Sequence, residues 1–548
     1  MVEPDAKAVA FLKNMRVLET QRGVWEAHWQ EIADYVVPRK ADITKRRTAG
    51  EKRTQLIFDG TAIHALELLS SSLHGMLTSA STAWFTLGFS DPALNRDDKA
   101  KEWLEAATDS LYDAFDRSNF QEQVQELYQD LVAFGTGCMF VESAEPAGLR
   151  FSTRHISELY ISENADGRVD QIFRKFKLTA RAAVNRWGEA AVGERIAKMY
   201  KNEPHKEVSI VHHVSPRDDY DTSKKGAMDK PFMSCYIEPE LKKVISEGGY
   251  DEFPFLVPRW LKASFELGYG RSVCMKCLPD IKMLNSMSET TIKSAQKQVD
   301  PPLLVPDDGY VAPVRTVPGG INYYRAGTRD RIETLQIGAN TPLGLSMEQQ
   351  RRDAIRQAFY VDQLILQEGP AMTATEVVQR NEEKMRILGP VLGRLQAEFL
   401  EPLIGRTFSI LSRQNALPPV PEFLVGMPLA IQYVSPLAKA QKLGDLQSVL
   451  RTIEILQPFA EIDPSVLDYL DTDGLALHVM DVLGVPARVR KGQEEVQEIR
   501  EEREQQQQAM QEQEQAMQGA QMAGQAAPMV KAITNAEQAG ASAPLQAA

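Results

Sequence analysis

The chain is short of the residues and runs that most often carry chemistry or anchoring. Four cysteines in 548 residues (Cys138, Cys235, Cys274 and Cys277) are too few for a disulfide framework, which points to a reducing compartment. No apolar run is long enough to span a bilayer, so no membrane partner is expected. The N-terminus, Met1-Val2-Glu3-Pro4-Asp5, is acidic and lacks the apolar core of a signal peptide, which points to use in a cytoplasm. Nucleotide hydrolysis is excluded by the lack of a Gly-x-x-x-x-Gly-Lys-Ser/Thr run to cradle phosphates. A serine hydrolase of the Gly-x-Ser-x-Gly type is excluded in the same way. A surplus of positive charge is also missing. The formal net charge is −13, which argues against a surface that grips phosphates throughout. It leaves open a wall past which nucleic acid slides.

Ordinary globular content is present: 43% hydrophobic and 25% charged residues, enough for a large core and several domains. Residues 6–36 read as an amphipathic helix, with Val9, Leu12, Val17, Trp25, Trp29, Ile32 and Tyr35 at helical spacing and Pro38 as its stop. Arg39–Arg53 reads as a basic mobile loop. Asp59-Gly60 is a turn before a helix over Thr61–Thr78. Trp84–Leu87 is a short strand. Helices follow over Ala100–Phe115 and Gln121–Val132, the second closed by Gly135-Thr136-Gly137. Residues 150–260 alternate in the manner of strands (Gln171–Phe176, Val208–Val214, Phe232–Ile237, Lys242–Ser246), with a helix near Thr179–Trp187. A long helix over 271–298 has one stripe of Leu278, Ile281, Leu284, Met287, Thr291, Ala295 and Val299. Lys282, Asn285, Glu289, Lys293 and Lys297 fall on its other faces.

Residues 300–342 are rich in Pro and Gly, with short strands at Leu303–Val305 and Ile321–Tyr324. Ser346–Leu366 reads as helix and ends at Gly369-Pro370, which cannot continue it. Thr373 then starts a second long helix reaching about Gln414. Thr373 caps the free amides, Glu376 completes a Thr-x-x-Glu capping box, and Met372 with Val377 form a hydrophobic staple. Gly389-Pro390, Gly393, Pro402 and Gly405 should bend that helix. Residues 418–436 are punctuated by proline and 437–490 read as short helices. Glu494–Gln518 is a Glu/Gln-rich tail, helical at first, and Gly519 onward reads as disordered.

The remaining candidate chemistry reduces to structure. Cys274-Met275-Lys276-Cys277 has metal or redox spacing, but no second Cys-x-x-Cys or His pair completes a site, so packing thiols are expected. His212-His213 lie on a strand and point to opposite faces. Asp471-Thr472-Asp473-Gly474 hints at a calcium loop, yet the position needing an acid six residues past the glycine is Met480, so a turn or a helix start is expected. No catalytic, cofactor or metal residues are assigned, and no cofactor is implied.

Several runs, in order, resemble the portal proteins (head-to-tail connectors) of short-tailed bacteriophages. They are Phe58–Ala62 leading into Ser79–Phe85; Ala133–Gly137; Pro258-Arg259-Trp260 with Tyr269–Ser272; Leu278–Lys282 with Leu284-Asn285; and Met372–Val377 with Gly389-Pro390. The likeness covers about residues 10–435. It implies a mainly α-helical α+β portal fold with wing, stem, clip and crown regions, assembled as a ring, usually of twelve copies, around a channel for double-stranded DNA at one capsid vertex.

On this resemblance, residues 1–270 are the first part of the wing. Residues 271–299 and 343–362 are two stem helices. Residues 300–342 are the clip, with Asp307, Asp308, Tyr310, Arg315, Tyr323 and Tyr324 as its candidate contact residues. Residues 363–372 are the tunnel loop facing DNA (Gln363, Gln367, Glu368, Gly369, Pro370, Met372), handed over to the long helix by Thr373 and Glu376. Residues 373–436 are the long helix and the return of the wing, 437–490 the crown, and 491–548 the tail. The implied partners are the terminase large subunit, tail adaptor or head-completion proteins, and the major capsid and scaffolding proteins. The implied place is the virion, after assembly in the host cytoplasm. Two other classes stay open on the residues alone. One is a capsid-internal scaffold using the Gln/Glu-rich tail, and the other a metal-dependent nuclease built from scattered carboxylates.

Overall fold

The computed structural model describes residues 5–304 apart from 46, 49, 145–147, 222, 225 and 267, then 315–316, 321, 323, 333–334, 341–364, 388–434, 446, 449, 451–456, 458, 471–483, 485, 489–491, 495–510 and 513. It is α+β and mainly helical. The chain divides into one unit of Met1–Gly88 with Ala106–Asp445 and a second of Phe89–Glu105 with Leu446–Ala548.

The first unit is built on an antiparallel meander. β4 (Leu159–Glu163), β5 (Val169–Thr179), β6 (Glu207–Pro216), β7 (Phe232–Glu238) and β8 (Lys243–Tyr250) pair in that order. The expected neighbours β7 and β8 are joined in register Phe232↔Tyr250 through Glu238↔Lys243. The period of two gives the sheet two apolar faces. Phe173, Val211 and Ile237 meet Ala8, Leu12 and Met15 of α1 (Ala6–Tyr35) on one face. Phe176, Val208, Ile210 and Ile245 meet α5 (Ala180–Trp187) and α6 (Gly193–Asn202) on the other. Thr179 caps α5 by accepting from the Ala182 amide at 3.2 Å. The face of α1 differs from the expected one. Val9 and Val17 are 41% and 55% exposed, and Ala8 and Met15 do the packing.

Around this sheet lie α2 (Thr61–Leu77), β1 (Phe85–Phe89), α3 (Asp98–Asp116), α4 (Phe120–Phe134), and a three-stranded sheet of β3 (Leu149–Thr153), β2 (Met139–Ser143) and β9 (Phe255–Leu256). Two antiparallel pairings close large excursions. β10 (Leu303–Leu304) pairs with β11 (Glu333–Thr334), and β1 pairs with β12 (Leu429–Tyr433), a strand within the Pro-punctuated stretch. Ile321 and Tyr323 stand outside any strand and are 69% and 73% exposed, against the expectation of a strand at Ile321–Tyr324.

α7 (Val273–Val299) and α8 (Thr341–Ala358) pack along one another. The single helix expected over Ser346–Leu366 is broken. Phe359 is fully buried, Tyr360 turns left-handed (φ 59°), and α9 (Val361–Leu364) restarts on the Tyr360 carbonyl. Farther on, residues 388–395 are helical, Gln396–Leu400 forms a π turn, and α10 (Glu401–Arg413) ends at Gln414.

In the second unit, the Asp471 carboxylate accepts from the Gly474 amide at 2.9 Å and starts α11 (Thr472–Leu483), as expected of a helix start. Residues 495–510 are helical, and Arg500 grips Asp473 at 2.6 and 2.7 Å. Residues from 514 on, including the segment expected to be disordered, lie outside the described residues.

Candidate functional site

Two constructions dominate the first unit, and each joins motifs far apart in sequence. The first is a latch where Phe58-Asp59-Gly60-Thr61 meets α7 and α8. The Asn285 carbonyl oxygen accepts from the Phe58 amide (2.8 Å) and the Asp59 amide (3.3 Å), while its NH2 donates to the Ile281 carbonyl (3.0 Å). Asp59 accepts from the Thr61 amide at 2.8 Å, which opens α2, and from Arg352 Nε on α8 at 2.9 Å. Arg352 also donates to Glu348 at 2.9 Å, and Glu348 accepts from Thr291 Oγ1 on α7 at 2.5 Å. Burial pushes the Asp59 carboxyl up, but the hydrogen bonds from Thr61 and Arg352 outweigh it and hold the pKa below the usual value.

Asn285 therefore does not face outward as its place off the apolar stripe suggested. It is 4% exposed because its amide serves the backbone of a turn 227 residues away. The other stem candidates are on the surface. Lys282 reaches Glu31 of α1 at 3.3 Å, Glu289 pairs with Lys293 at 2.6 Å, and Lys297 is exposed. The apolar stripe of α7 packs only as far as Ser288. Beyond it Ile292 and Val299 are 44% and 88% exposed, so of the expected continuation through Thr291, Ala295 and Val299 only Thr291, which donates to Glu348 of α8, is covered by this chain's described residues.

The second construction is a crossing of three loops. α4 ends at Gly135, whose left-handed backbone (φ 79°) closes the helix by donating to the Leu131 carbonyl. The Trp260 amide donates to the Gly135 carbonyl (2.9 Å), the Gly137 amide to the Pro258 carbonyl (3.0 Å), and the Gly270 amide to Thr136 Oγ1 (2.8 Å). A Cβ on Gly135 would press on the Gly270 carbonyl and lie 2.6 Å from the Arg271 carbonyl carbon; one on Gly270 would lie 2.5 Å from the Gly135 oxygen. Only glycines allow two backbones this close.

Beneath the crossing sits Arg259, 1% exposed. It donates to Glu163 at 2.7 Å, to the Gly167 carbonyl at 2.8 Å, and from Nη2 to Glu398 of the π turn at 2.8 Å. Lys262 and the Gly268 amide fill the rest of Glu163. Past the π turn, Arg406 donates to the Val141 carbonyl (3.0 Å) and the Glu252 carbonyl (2.9 Å), and Arg413 to Glu252 at 2.6 Å. α10 is thus bolted to the body. None of these ion pairs could be read from spacing, though Arg259 stands in the middle of a run that carried the family likeness.

The loop and clip candidates are only partly described. Gln363 lies in the helical turn α9 rather than in a loop. Gln367, Glu368, Gly369, Pro370, Met372, Thr373 and Glu376 lie outside the described residues, as do Asp307, Asp308, Tyr310 and Tyr324. Arg315 and Tyr323 are described, and both are exposed.

The basic segment Arg39–Arg53 is pinned, not loose. Lys40 meets Asp130 at 2.5 Å, Lys45 and Arg47 meet Asp34 at 3.2 and 3.0 Å, and the Gln30 side-chain oxygen accepts from the Thr44 amide at 2.8 Å. Cys274 and Cys277 are buried on α7, and burial pushes the Cys277 thiol up to about 12, so it packs as a neutral thiol. His212 stacks on Tyr236 (4.1 Å) and His213 on Phe173 (4.0 Å), on opposite faces of β6 as the strand period requires. Burial lowers both, His213 to about 4, so both are neutral.

Comparison with known proteins gives a consistent result. The family model described as bacteriophage head to tail connecting protein matches residues 9–490. A probable portal protein of Bordetella phage BPP-1 is 33% identical over 477 residues, 85% of this chain and 86% of the relative. The portal protein of Salmonella phage epsilon15 is 32% identical over 497 residues, 89% of each. The portal protein of Enterobacteria phage T3 is 22% identical over 380 residues, 67% of this chain and 66% of the relative.

Proposed function

The chain belongs to the bacteriophage head to tail connecting proteins, and on that premise we infer that it is a portal protein. It is a structural connector, not an enzyme, and its place is the virion capsid. It acts as an oligomeric ring that joins head to tail and binds DNA. The finer assignment is that twelve copies surround a channel at one vertex, through which double-stranded DNA is packaged and later ejected. α7 and α8 form the stem, and the excursion between them forms the clip. The clip docks the terminase large subunit during packaging and tail adaptor or head-completion proteins afterwards. The sheet unit forms the wing, in reach of the major capsid and scaffolding proteins. Residues 437–490 form the crown, and assembly takes place in the host cytoplasm.

The observation that supports this most is the latched helix pair. α7 and α8 run together, are held to the body at one end by the Asn285–Asp59–Arg352 bonds, and leave the Ile292–Val299 end of α7 uncovered. A ring contact is heterologous, one patch meeting a different one, so each stem helix needs an outer face that its own chain does not satisfy. In the constriction, Gln367 and Glu368 give the loop no positive charge that could hold phosphates. Gln367→Lys with Glu368→Lys should slow or stall DNA passage in a packaging assay. Packaging at the wild-type rate would remove residues 363–372 from that role.

A further inference from the structure

We propose that the π turn at Gln396–Leu400 is a movable one-residue register element in the helix, held at its present place by Arg259 and Tyr433. A π turn is an α-helix with one extra residue, and its characteristic bond runs from residue i+5 to residue i. Here the Glu401 amide donates to the Gln396 carbonyl. The next residue, Pro402, has no amide hydrogen, so a regular α-helix at this point would leave the Glu398 carbonyl without its partner. The regular alternative is therefore already weakened beside the turn.

Two side chains from outside the helix fix the turn. Arg259 donates to the Glu398 carboxylate from Nε (3.1 Å) and Nη2 (2.8 Å), and the Arg259 amide does so at 3.0 Å. The Tyr433 hydroxyl on β12 donates to the same Gln396 carbonyl that accepts the i+5 bond, at 3.4 Å. The two sides of the turn are held differently. On its C-terminal side, Arg406 and Arg413 make directional bonds to Val141, Asp251 and Glu252. On its N-terminal side, residues 388–395 are held by buried Leu388, Val391, Leu392 and Leu395, and their one ion pair among the described residues, Arg394–Glu398 at 3.6 Å, runs into the turn itself. As the extra residue moves along the helix, this side can turn by about 100° with about 1.5 Å of travel, which repacks its apolar face but breaks no directional bond to the body among the described residues. The C-terminal side cannot. The turn thus separates a bolted segment from one that can change register, and Arg259 links its position to the Gly135–Gly270 crossing.

Amide hydrogen exchange on the assembled full-length protein tests this. Tyr433→Phe and Glu398→Gln should each speed exchange over residues 391–401 by about tenfold or more while α7 and α8 keep their protection. Deleting Ala397, which removes the extra residue, should slow exchange there and abolish the sensitivity to Tyr433→Phe. Exchange within about twofold of wild type in both point variants would overturn the proposal, whether or not the deletion folds. Faster exchange spread equally over α7 and α8 would overturn it too, since the two contacts would then be general struts.

Discussion

The loop crossing around Arg259 and the outer half of α7 use opposite means. At the crossing, three chain segments meet with glycine-to-glycine backbone contact, and a fully enclosed arginine is matched by two carboxylates and a carbonyl. Along α7 from Thr290 to Val299, Ile292, Lys293 and Val299 are exposed, Thr291 donates to Glu348 of α8 and Lys293 pairs locally with Glu289. The first is complete within one chain. The second leaves Ile292 and Val299 exposed among the described residues, and the proposed ring contact is placed there.

Breaking the frame should have the largest effect. Arg259→Met leaves buried Glu163 with Lys262 alone and Glu398 with the more distant Arg394, and should cost about 3–5 kcal/mol, read from the urea midpoint of unfolding. Gly135→Ala should cost about 3 kcal/mol, because strain at positive φ adds to a backbone clash that no side-chain rotation relieves. Asn285→Ala should cost about 1–3 kcal/mol by orphaning the Phe58 and Asp59 amides, and its clearest sign should be faster amide exchange at the start of α2.

Acid sharpens the contrast. The folded pKa of His213 is lowered to about 4 by burial, so below the ordinary imidazole value the unfolded chain binds a proton that the folded chain does not. Stability from this residue is complete above about 6.5 and falls as pH drops towards 4. Asp59, also depressed, adds a loss at still lower pH as its carboxylate protonates and releases Arg352. His213→Phe should lessen the first part of the fall in stability, with buried His212 supplying the remainder, and leave the second. The smallest effect on the single chain is expected at the unfinished surface. Ile292→Ser and Val299→Ser should change unfolding by less than about 0.5 kcal/mol. The same changes should weaken ring assembly measurably by sedimentation.

What could be read from the sequence follows the range of the interaction that sets it. α1, α2, α4 and α5 were legible because caps and periodicity act within a few residues; Asp59-Gly60, Gly135 and Thr179 mark their ends in the chain itself. Four strands of the meander, β5 to β8, were legible for the same reason, since alternation names their faces; β4 was not marked. The pairing of β1 with β12 was not legible, because Phe89 and Leu429 stand far apart in the chain and neither strand marks the other. Asn285 was misjudged because a polar residue on a helix is outward by default, and its partners lie on a distant turn. Arg39–Arg53 looked loose because its acids, Asp34, Glu126 and Asp130, belong to two other helices. The family likeness rests on runs that the fold brings together. Its quoted runs Phe58–Ala62 and Leu284-Asn285 meet in the latch, and Ala133–Gly137, Pro258–Trp260 and Tyr269–Ser272 meet in the crossing.

The central claim is tested most directly by electron images of the purified full-length protein. The account predicts closed rings with a central hole wide enough for a DNA duplex, with α7 and α8 facing neighbouring copies and the Arg259 crossing within each copy. Monomers or open filaments at every concentration would contradict it.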